Sequence, residues 1–145
     1  MADFSMRPAP DAQETRQLLA DAGLPDADLT EAHFANFIGA YEHGRLIGVA
    51  GLEWHDGTPL LRSLAVEKTM RHRGLGHQLM NTLEARARRE GAQEIYLLTL
   101  NAAPYFLRMG YGMRPREMAP TALKTASQFS TLCPSTATLM VKPLT

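Results

Sequence analysis

Two apolar segments joined by a glycine-containing loop and an amphipathic helix constrain the fold of this 145-residue chain most strongly. Residues 60–66 read LLRSLAV and residues 94–100 read EIYLLTL, and both runs are typical of strands buried on two faces. Apolar residues recur every four positions from Leu75 to Ala87, which predicts a helix over 74–90 with one apolar stripe. Such a strand–helix–strand unit forms a parallel pair with a right-handed crossover.

The flanking segments predict further short strands and helices. Residues 38–42 and 46–53 flank the turn-like His43-Gly44-Arg45 and are predicted to form an antiparallel hairpin. The other predictions are strands at 4–8, 111–116 and 138–142, helices from the Asp11 cap to Ala22, from the Thr30 cap to Phe37 and at 102–109, and a helix or long turn at 121–132. This order predicts an α/β (α+β) fold with a mixed central sheet and helices on both faces.

The composition excludes several classes of protein. Hydrophobic residues make up 45% of the chain, which is too much for a disordered protein. Fifteen basic residues balance fifteen acidic ones, so no overall charge would attract nucleic acid or an anionic membrane. The single cysteine, Cys133, excludes an internal disulfide and a multi-cysteine zinc site, and no metal is expected. A chain of this length suits one domain over 1–145, and the lack of a membrane or signal segment predicts a cytoplasmic protein.

The loop after the strand 60–66 carries a candidate anion site. The run Arg71–His77 reads RHRGLGH, and the predicted helix begins inside it. The first turn of a helix leaves four backbone N–H groups unpaired at the positive end of the helix dipole. Gly74 and Gly76 would let a diphosphate approach these groups, and the arginines and histidines of the run add positive charge. An ordinary solvated helix start is the alternative, and the glycine spacing alone leaves both open.

This loop and the elements around it resemble the GNAT superfamily of N-acetyltransferases. Arg71, Gly74 and Gly76 match its acetyl-coenzyme A signature R-x-x-G-x-G, and the run 106–111 resembles its aromatic-x-x-x-Gly-aromatic element. The resemblance covers about residues 5–142 and implies the GNAT acyl-CoA N-acyltransferase fold. The runs GVAGLE, LLRSLAV, LLTLNAAPYFLRMGY and QFSTLCP further resemble the arsenic-resistance branch of these enzymes.

The resemblance implies that acetyl-coenzyme A is the co-substrate and that its acetyl group passes directly to the amine of a small molecule. The signature loop would cradle the diphosphate, and the pantetheine arm would lie in a split between the strands 60–66 and 94–100. Carried over residue by residue, the expected cofactor contacts are Leu64, Ala65, Val66, Arg71, His72, Arg73, Gly74, Leu75, Gly76, His77, Asn101 and Phe106.

Several polar residues are candidates for the proton transfers. Glu53 is the leading candidate for the base, and its alternatives are a solvated carboxylate or a partner of Arg62. Arg62 and its neighbour Ser63 are the polar exceptions in an apolar strand, so Arg62 should pair with Glu53 or contact an acidic substrate group. The family position of a general-acid tyrosine maps to Phe106, and the adjacent Tyr105 reaches that place only if the helix is rotated. His55, in a turn, is expected at the surface.

The C-terminal part is expected to build the acceptor pocket. Arg114 and Arg116 could read a carboxylate on the acceptor, or could lie on a solvated edge strand. The strand 138–142 is expected at the sheet edge, where it could pair with a second copy of the chain. Cys133 is expected to be a small buried residue. A lone cysteine cannot hold trivalent arsenic, so an arsenic context points to an arsenic-bearing amine.

Two other functions compete with the small-molecule N-acetyltransferase. A non-catalytic acyl-CoA sensor of the same fold is kept open by Phe106, which has no proton to donate. A protein N-acetyltransferase would need a longer open groove, and nothing in the sequence favours it.

Overall fold

The structure is a computed structural model that describes residues 4–124 and 137–144. Its strands are β1 (Ser5–Pro8), β2 (Phe37–Glu42), β3 (Arg45–His55), β4 (Thr58–Val66), β5 (Glu94–Thr99), β6 (Gly112–Arg114) and β7 (Thr138–Pro143). Its helices are α1 (Ala12–Asp21), α2 (Glu31–Phe34), α3 (Leu75–Arg89), α4 (Ala103–Arg108) and α5 (Thr121–Lys124).

In the described part of the chain, seven strands form a mixed sheet in the order β1-β2-β3-β4-β5-β7-β6. Strands β4 and β5 pair in parallel, as predicted, whereas β1 with β2, β2 with β3, β5 with β7 and β6 with β7 are antiparallel. The prediction of a mixed sheet is therefore confirmed. The expectation that the last strand lies at an edge is wrong, because β7 is hydrogen-bonded on both sides and β6 ends the order.

The chain divides into two compact units, Met1–Leu52 with Ser63–Leu83 and Glu53–Arg62 with Glu84–Thr145. That 1–145 is a single domain stays a prediction. Among the described residues, every helix falls short of the length and apolarity that a membrane crossing needs.

The first unit follows the sequence prediction closely. The side chain of Asp11 accepts a hydrogen bond from the backbone N–H of Glu14 at 2.9 Å and so caps α1. The hairpin turn is shorter than predicted, because His43 and Gly44 alone adopt left-handed conformations between β2 and β3. Phe37 was expected at the end of the second helix, but it begins β2. Its ring covers Gly51, where an added Cβ would lie 2.2 Å from a ring carbon.

The core of the second unit joins the strands to the short C-terminal helix. The cluster comprises Leu60, Tyr96, Ala119, Leu123, Leu139 and Val141. The predicted strand at 111–116 is limited to Gly112–Arg114. Of the predicted helix at 121–132, α5 forms the first turn, and the remainder, together with Cys133, lies outside the described residues.

A buried polar cluster, here called the Glu84 cluster, lies in the second unit. Glu84 accepts hydrogen bonds from Nζ of Lys142 at 2.8 Å and from the hydroxyl of Tyr111 at 3.0 Å. Glu84 and Tyr111 are buried, whereas Lys142 is partly exposed. Burial, reinforced by the Glu84 carboxylate, raises the pKa of Tyr111 far above its ordinary value. The hydroxyl of Tyr111 therefore stays protonated, and can donate to Glu84, above the pH at which an ordinary tyrosine ionises.

Candidate active site

The loop between β4 and α3, in the first unit, has the backbone shape of an anion site. His72 and Gly74 adopt left-handed conformations, with φ of +67° and +78°. Left-handed residues among right-handed ones turn neighbouring N–H groups toward one side and form an anion-binding concavity. The 15-residue helix α3 begins at Leu75 and adds the unpaired N–H groups of its first turn. Such a conformation costs a histidine about 1 kcal/mol, and strain of this kind is typical of functional sites.

The basic side chains of this loop are exposed but are not all free of partners. Nε of Arg71 donates to the carbonyl oxygen of Val66 at 3.2 Å. The guanidinium of Arg73 lies 3.6 Å from the carboxylate of Glu42. Leu75 is fully buried, so its backbone alone can contribute to a bound ligand.

The end of β4 carries an irregularity that the sequence marks only as a polar exception. Ser63 has a φ of +61°, a left-handed residue inside a strand, and so breaks the regular alternation of the backbone. Of the predicted cofactor contacts that follow it, Leu64 and Val66 are partly exposed, whereas Ala65 is buried in the core of the first unit. This break changes the direction of the backbone N–H and C=O groups of the residues beside Ser63.

In the second unit, Glu53 lies between two basic side chains. Nη1 of Arg62 donates to Oε2 of Glu53 at 2.9 Å, and Nε2 of His55 lies 2.6 Å from Oε1. The exposed fraction of the side chain is 0% for Arg62, 9% for Glu53 and 22% for His55. Of the alternatives for Arg62, the structure shows the pair with Glu53. The expectation that His55 lies in a turn is wrong, because it ends β3, and its partly exposed ring lies against this carboxylate.

Helix α4 places the two aromatic candidates side by side. Phe106 is buried, and its ring packs edgewise against Tyr105 at 5.2 Å and against Tyr111 at 5.8 Å. Burial raises the pKa of Tyr105 above its ordinary value, although Arg108 acts in the opposite direction. Asn101 is exposed just beyond the end of β5.

Arg114 lies on the last strand of the sheet order and is already hydrogen-bonded. Its Nη1 donates to the hydroxyl of Tyr96 at 3.2 Å and lies 3.9 Å from Oε2 of Glu94. The Tyr96 hydroxyl donates in turn to Glu94 at 2.9 Å, and burial together with this carboxylate raises the pKa of Tyr96. A cavity of about 240 Å³ opens beside Glu94 and Tyr96. Arg116 instead donates to the carbonyl of Ala137 at 3.3 Å.

Sequence reasoning missed His55, the break at Ser63 and the Glu84 cluster. His55 is separated from Glu53 by one residue in a strand, a spacing that puts both side chains on one face. That spacing could have indicated that His55 lies beside Glu53. The three members of the Glu84 cluster are far apart in the chain, so no local pattern could have joined them.

Comparisons with known proteins agree with this geometry. Residues 3–111 match the model of the acetyltransferase (GNAT) family. An uncharacterized N-acetyltransferase of Chlorobaculum tepidum is 35% identical over 89 residues, which are 61% of this chain and 57% of that protein. An amino-acid acetyltransferase of Ectopseudomonas mendocina is 37% identical over 62 residues, which are 43% of this chain and 14% of that protein. The match therefore spans little more than half of the first relative and a small part of the second.

The solved structures that share the fold include two complexes with coenzyme A. N-acetylglutamate synthase from Neisseria gonorrhoeae, complexed with coenzyme A and N-acetyl-glutamate, superposes with a TM-score of 0.86 at 21% identity, covering 100% of this chain and 36% of that one. A Mycobacterium tuberculosis protein in complex with CoA superposes with a TM-score of 0.80 at 18% identity, covering 97% of this chain and 99% of that one. The predicted GNAT acyl-CoA N-acyltransferase fold is confirmed.

Proposed function

Because this chain belongs to the acetyltransferase (GNAT) family, we propose that it transfers the acetyl group of acetyl-coenzyme A to the amine of a small molecule. The observation that carries the proposal is the loop Arg71–His77. Its left-handed residues, its position before a long helix and its exposed basic side chains suit a diphosphate. The family match and this backbone geometry agree.

The residues of the first unit fit the cofactor. A Cβ added at Gly74 would meet no atom of the described residues within 4 Å, so the backbone there can be approached by a bulky anion. We assign the diphosphate to the backbone of Arg71–His77, with the loop cations facing the outer phosphates, and the pantetheine arm to the backbone of Leu64–Val66. Asn101 and Phe106, in the second unit, remain proposed contacts of the arm. The bound cofactor supplies an activated acetyl group.

The residues of the second unit supply the proton chemistry in this proposal. An alkylamine resembles the lysine side chain, whose pKa is near 10.4, so its proton must be removed before it attacks. The proposed base is the group formed by Glu53 and the two side chains that hold its carboxylate, Arg62 and His55. Tyr105, whose hydroxyl is protonated at neutral pH, is the proposed donor to the leaving thiolate.

The proposed acceptor is an amine that also carries a carboxylate. Two curated relatives are named amino-acid acetyltransferases, and the gonococcal structure holds N-acetyl-glutamate. The side chain of Arg114, about one-third exposed, is proposed to bind the acceptor carboxylate. Arg62 is left out of this role, because its side chain is fully buried against Glu53.

Within this class we propose an arsenic-bearing amino acid as one acceptor, from the likeness of GVAGLE, LLRSLAV and LLTLNAAPYFLRMGY to the arsenic-resistance branch. The fourth run, QFSTLCP, lies outside the described residues. Free arsenite is not the proposed substrate. Tight arsenite binding that is abolished by Cys133→Ser would contradict this choice.

A panel of amines tests the proposal. Thiol release from acetyl-coenzyme A is measured with simple alkylamines, amino acids and arsenic-bearing amino acids. The proposal expects release that depends on the amine and favours acceptors with a carboxylate, and Arg114→Met should remove that preference. Cofactor binding without turnover on any amine would favour the non-catalytic sensor, which the buried Phe106 keeps open.

A further inference from the structure

Two basic side chains hold the two oxygens of the Glu53 carboxylate. Arg62 occupies Oε2 at 2.9 Å, and His55 approaches Oε1 through Nε2 at 2.6 Å. A separation of 2.6 Å is short even for a charge-assisted hydrogen bond. The exposed fraction rises from the guanidinium through the carboxylate to the imidazole, so the imidazole is the member of the three that meets solvent most.

The guanidinium of Arg62 can only donate, so Oε2 of Glu53 accepts its hydrogen bond. In the tautomer that suits a carboxylate acceptor, Nε2 of His55 carries the hydrogen and donates to Oε1. In a neutral imidazole with that hydrogen, Nδ1 carries the free lone pair.

The two partners of Glu53 differ in what they can do with a proton. Arginine stays protonated in proteins, so Arg62 can hold the carboxylate but cannot take up a proton. Imidazole can take one on Nδ1, and the adjacent carboxylate then stabilises the imidazolium that forms. A carboxylate that fixes the tautomer of a histidine is the arrangement by which a histidine becomes an effective general base.

We propose that His55 is the proton acceptor of the acetyl transfer and that Glu53 is the positioning carboxylate behind it. The inference rests on the proposed function and deepens it. An acceptor that arrives as an ammonium ion first gives one proton to Nδ1 of His55, directly or through one water, and the imidazolium passes that proton to solvent. The neutral amine then forms its bond to the acetyl carbon and the carbon–sulfur bond breaks. The second proton of the nitrogen replaces the one that Tyr105 gives to the leaving thiolate, so the tyrosine ends protonated.

The first experiment uses His55→Ala, which leaves space for a small base. Its kcat with a saturating alkylamine should fall by roughly 100-fold, the lower end of what a positioned proton-transfer group contributes. Added imidazole should restore kcat in a saturable way. His55→Gln keeps an amide donor for Glu53 but cannot take a proton, so it should lose the same activity. His43→Asn is the matched control, because His43 lies exposed in a turn of the first unit where asparagine tolerates a positive φ.

Acceptors of graded basicity separate proton removal from a structural role. Amines that are already unprotonated at neutral pH should lose little activity in His55→Ala, whereas strongly basic amines should lose most of it. Glu53→Gln, which removes the carboxylate behind the imidazole, should lower kcat without rescue by imidazole.

Three results would overturn the inference, and they point to different errors. Full activity in His55→Gln would show that Glu53 is itself the base. A loss in His55→Ala that imidazole does not restore, and that is equal for all amines, would show a merely structural histidine. Both outcomes leave the proposed function standing. Failure of the unmodified protein to acetylate any amine would overturn the proposed function and this inference together.

Discussion

Arg62 is fully buried and donates to Oε2 of Glu53 at 2.9 Å, so an arginine in the middle of an apolar strand has its counter-ion on the neighbouring strand β3. Removing one member of a buried ion pair leaves the other charged and unpaired. Arg62→Met should therefore lower the free energy of unfolding by about 3 kcal/mol, measured by urea denaturation. The double variant Arg62→Met/Glu53→Leu should recover part of this loss. An Arg62→Met protein as stable as the unmodified chain would contradict the pairing.

Gly74 and Gly44 form a matched pair for testing the loop. Both have left-handed backbones, with φ of +78° and +76°, and at both an added Cβ meets no atom of the described residues within 4 Å. Alanine at either position should cost about 1 kcal/mol of stability, because the strain is the same. Only Gly74→Ala should weaken acetyl-coenzyme A binding, by about tenfold in calorimetric titration, since its Cβ would lie where phosphates approach. Equal affinities for acetyl-coenzyme A in the two variants would show that the diphosphate does not bind at this loop.

Two glutamates on α3 differ in burial and offer a second matched comparison. Glu84 is buried and bound by Lys142 at 2.8 Å, whereas Glu90 is exposed and bound by Arg86 at 3.2 Å. Glu84→Gln should reduce the free energy of unfolding by about 2 kcal/mol, less than for a fully buried pair because Lys142 is partly exposed. Glu90→Gln should change it by less than about 0.5 kcal/mol. Similar losses in the two variants would show that burial does not decide the strength of the pair.

The raised pKa of Tyr111 predicts a dependence of stability on alkaline pH. Tyr111 keeps its proton in the folded chain, whereas in the unfolded chain it ionises near its ordinary pKa of 10.0. Its contribution is therefore complete below pH 10 and is lost as pH rises above it, by about 1.4 kcal/mol per pH unit. Tyr111→Phe should be less stable by about 2 kcal/mol at neutral pH, where it lacks the hydrogen bond to Glu84.

The difference between Tyr111→Phe and the unmodified chain should shrink between pH 10 and 11.5. Urea denaturation at neutral and alkaline pH measures it. A difference in free energy of unfolding that stays constant over this range would contradict the raised pKa of Tyr111.

Periodicity and turn residues were sufficient to predict most of the fold. The apolar runs at 60–66 and 94–100 are strands of a parallel pair, and the four-residue repeat is α3. Two of the errors come from long-range pairing. Phe37 belongs to β2 because its ring covers Gly51, and β7 lies inside the sheet because β6 pairs with its far side. Local sequence does not contain either contact.

The candidate site was predictable where it depends on backbone and not where it depends on side-chain pairing. Glycine spacing pointed to the loop at Gly74, whose φ is positive. The pair of Arg62 with Glu53 was one of two expected partnerships, because an arginine in an apolar strand must find a negative charge. The sequence predicts His55 in a turn, since a partly buried histidine at the end of a strand has the same sequence signature as a solvated one.

Transfer of a labelled acetyl group is the direct test of whether this chain acetylates amines from acetyl-coenzyme A. The protein is incubated with acetyl-coenzyme A labelled in the acetyl carbons and with an amino acid acceptor, and the acceptor mass and the free thiol are measured together. The label should appear on the acceptor amine in an amount equal to the thiol released. Cofactor binding without any label on an amine, across alkylamines and amino acids alike, would contradict it.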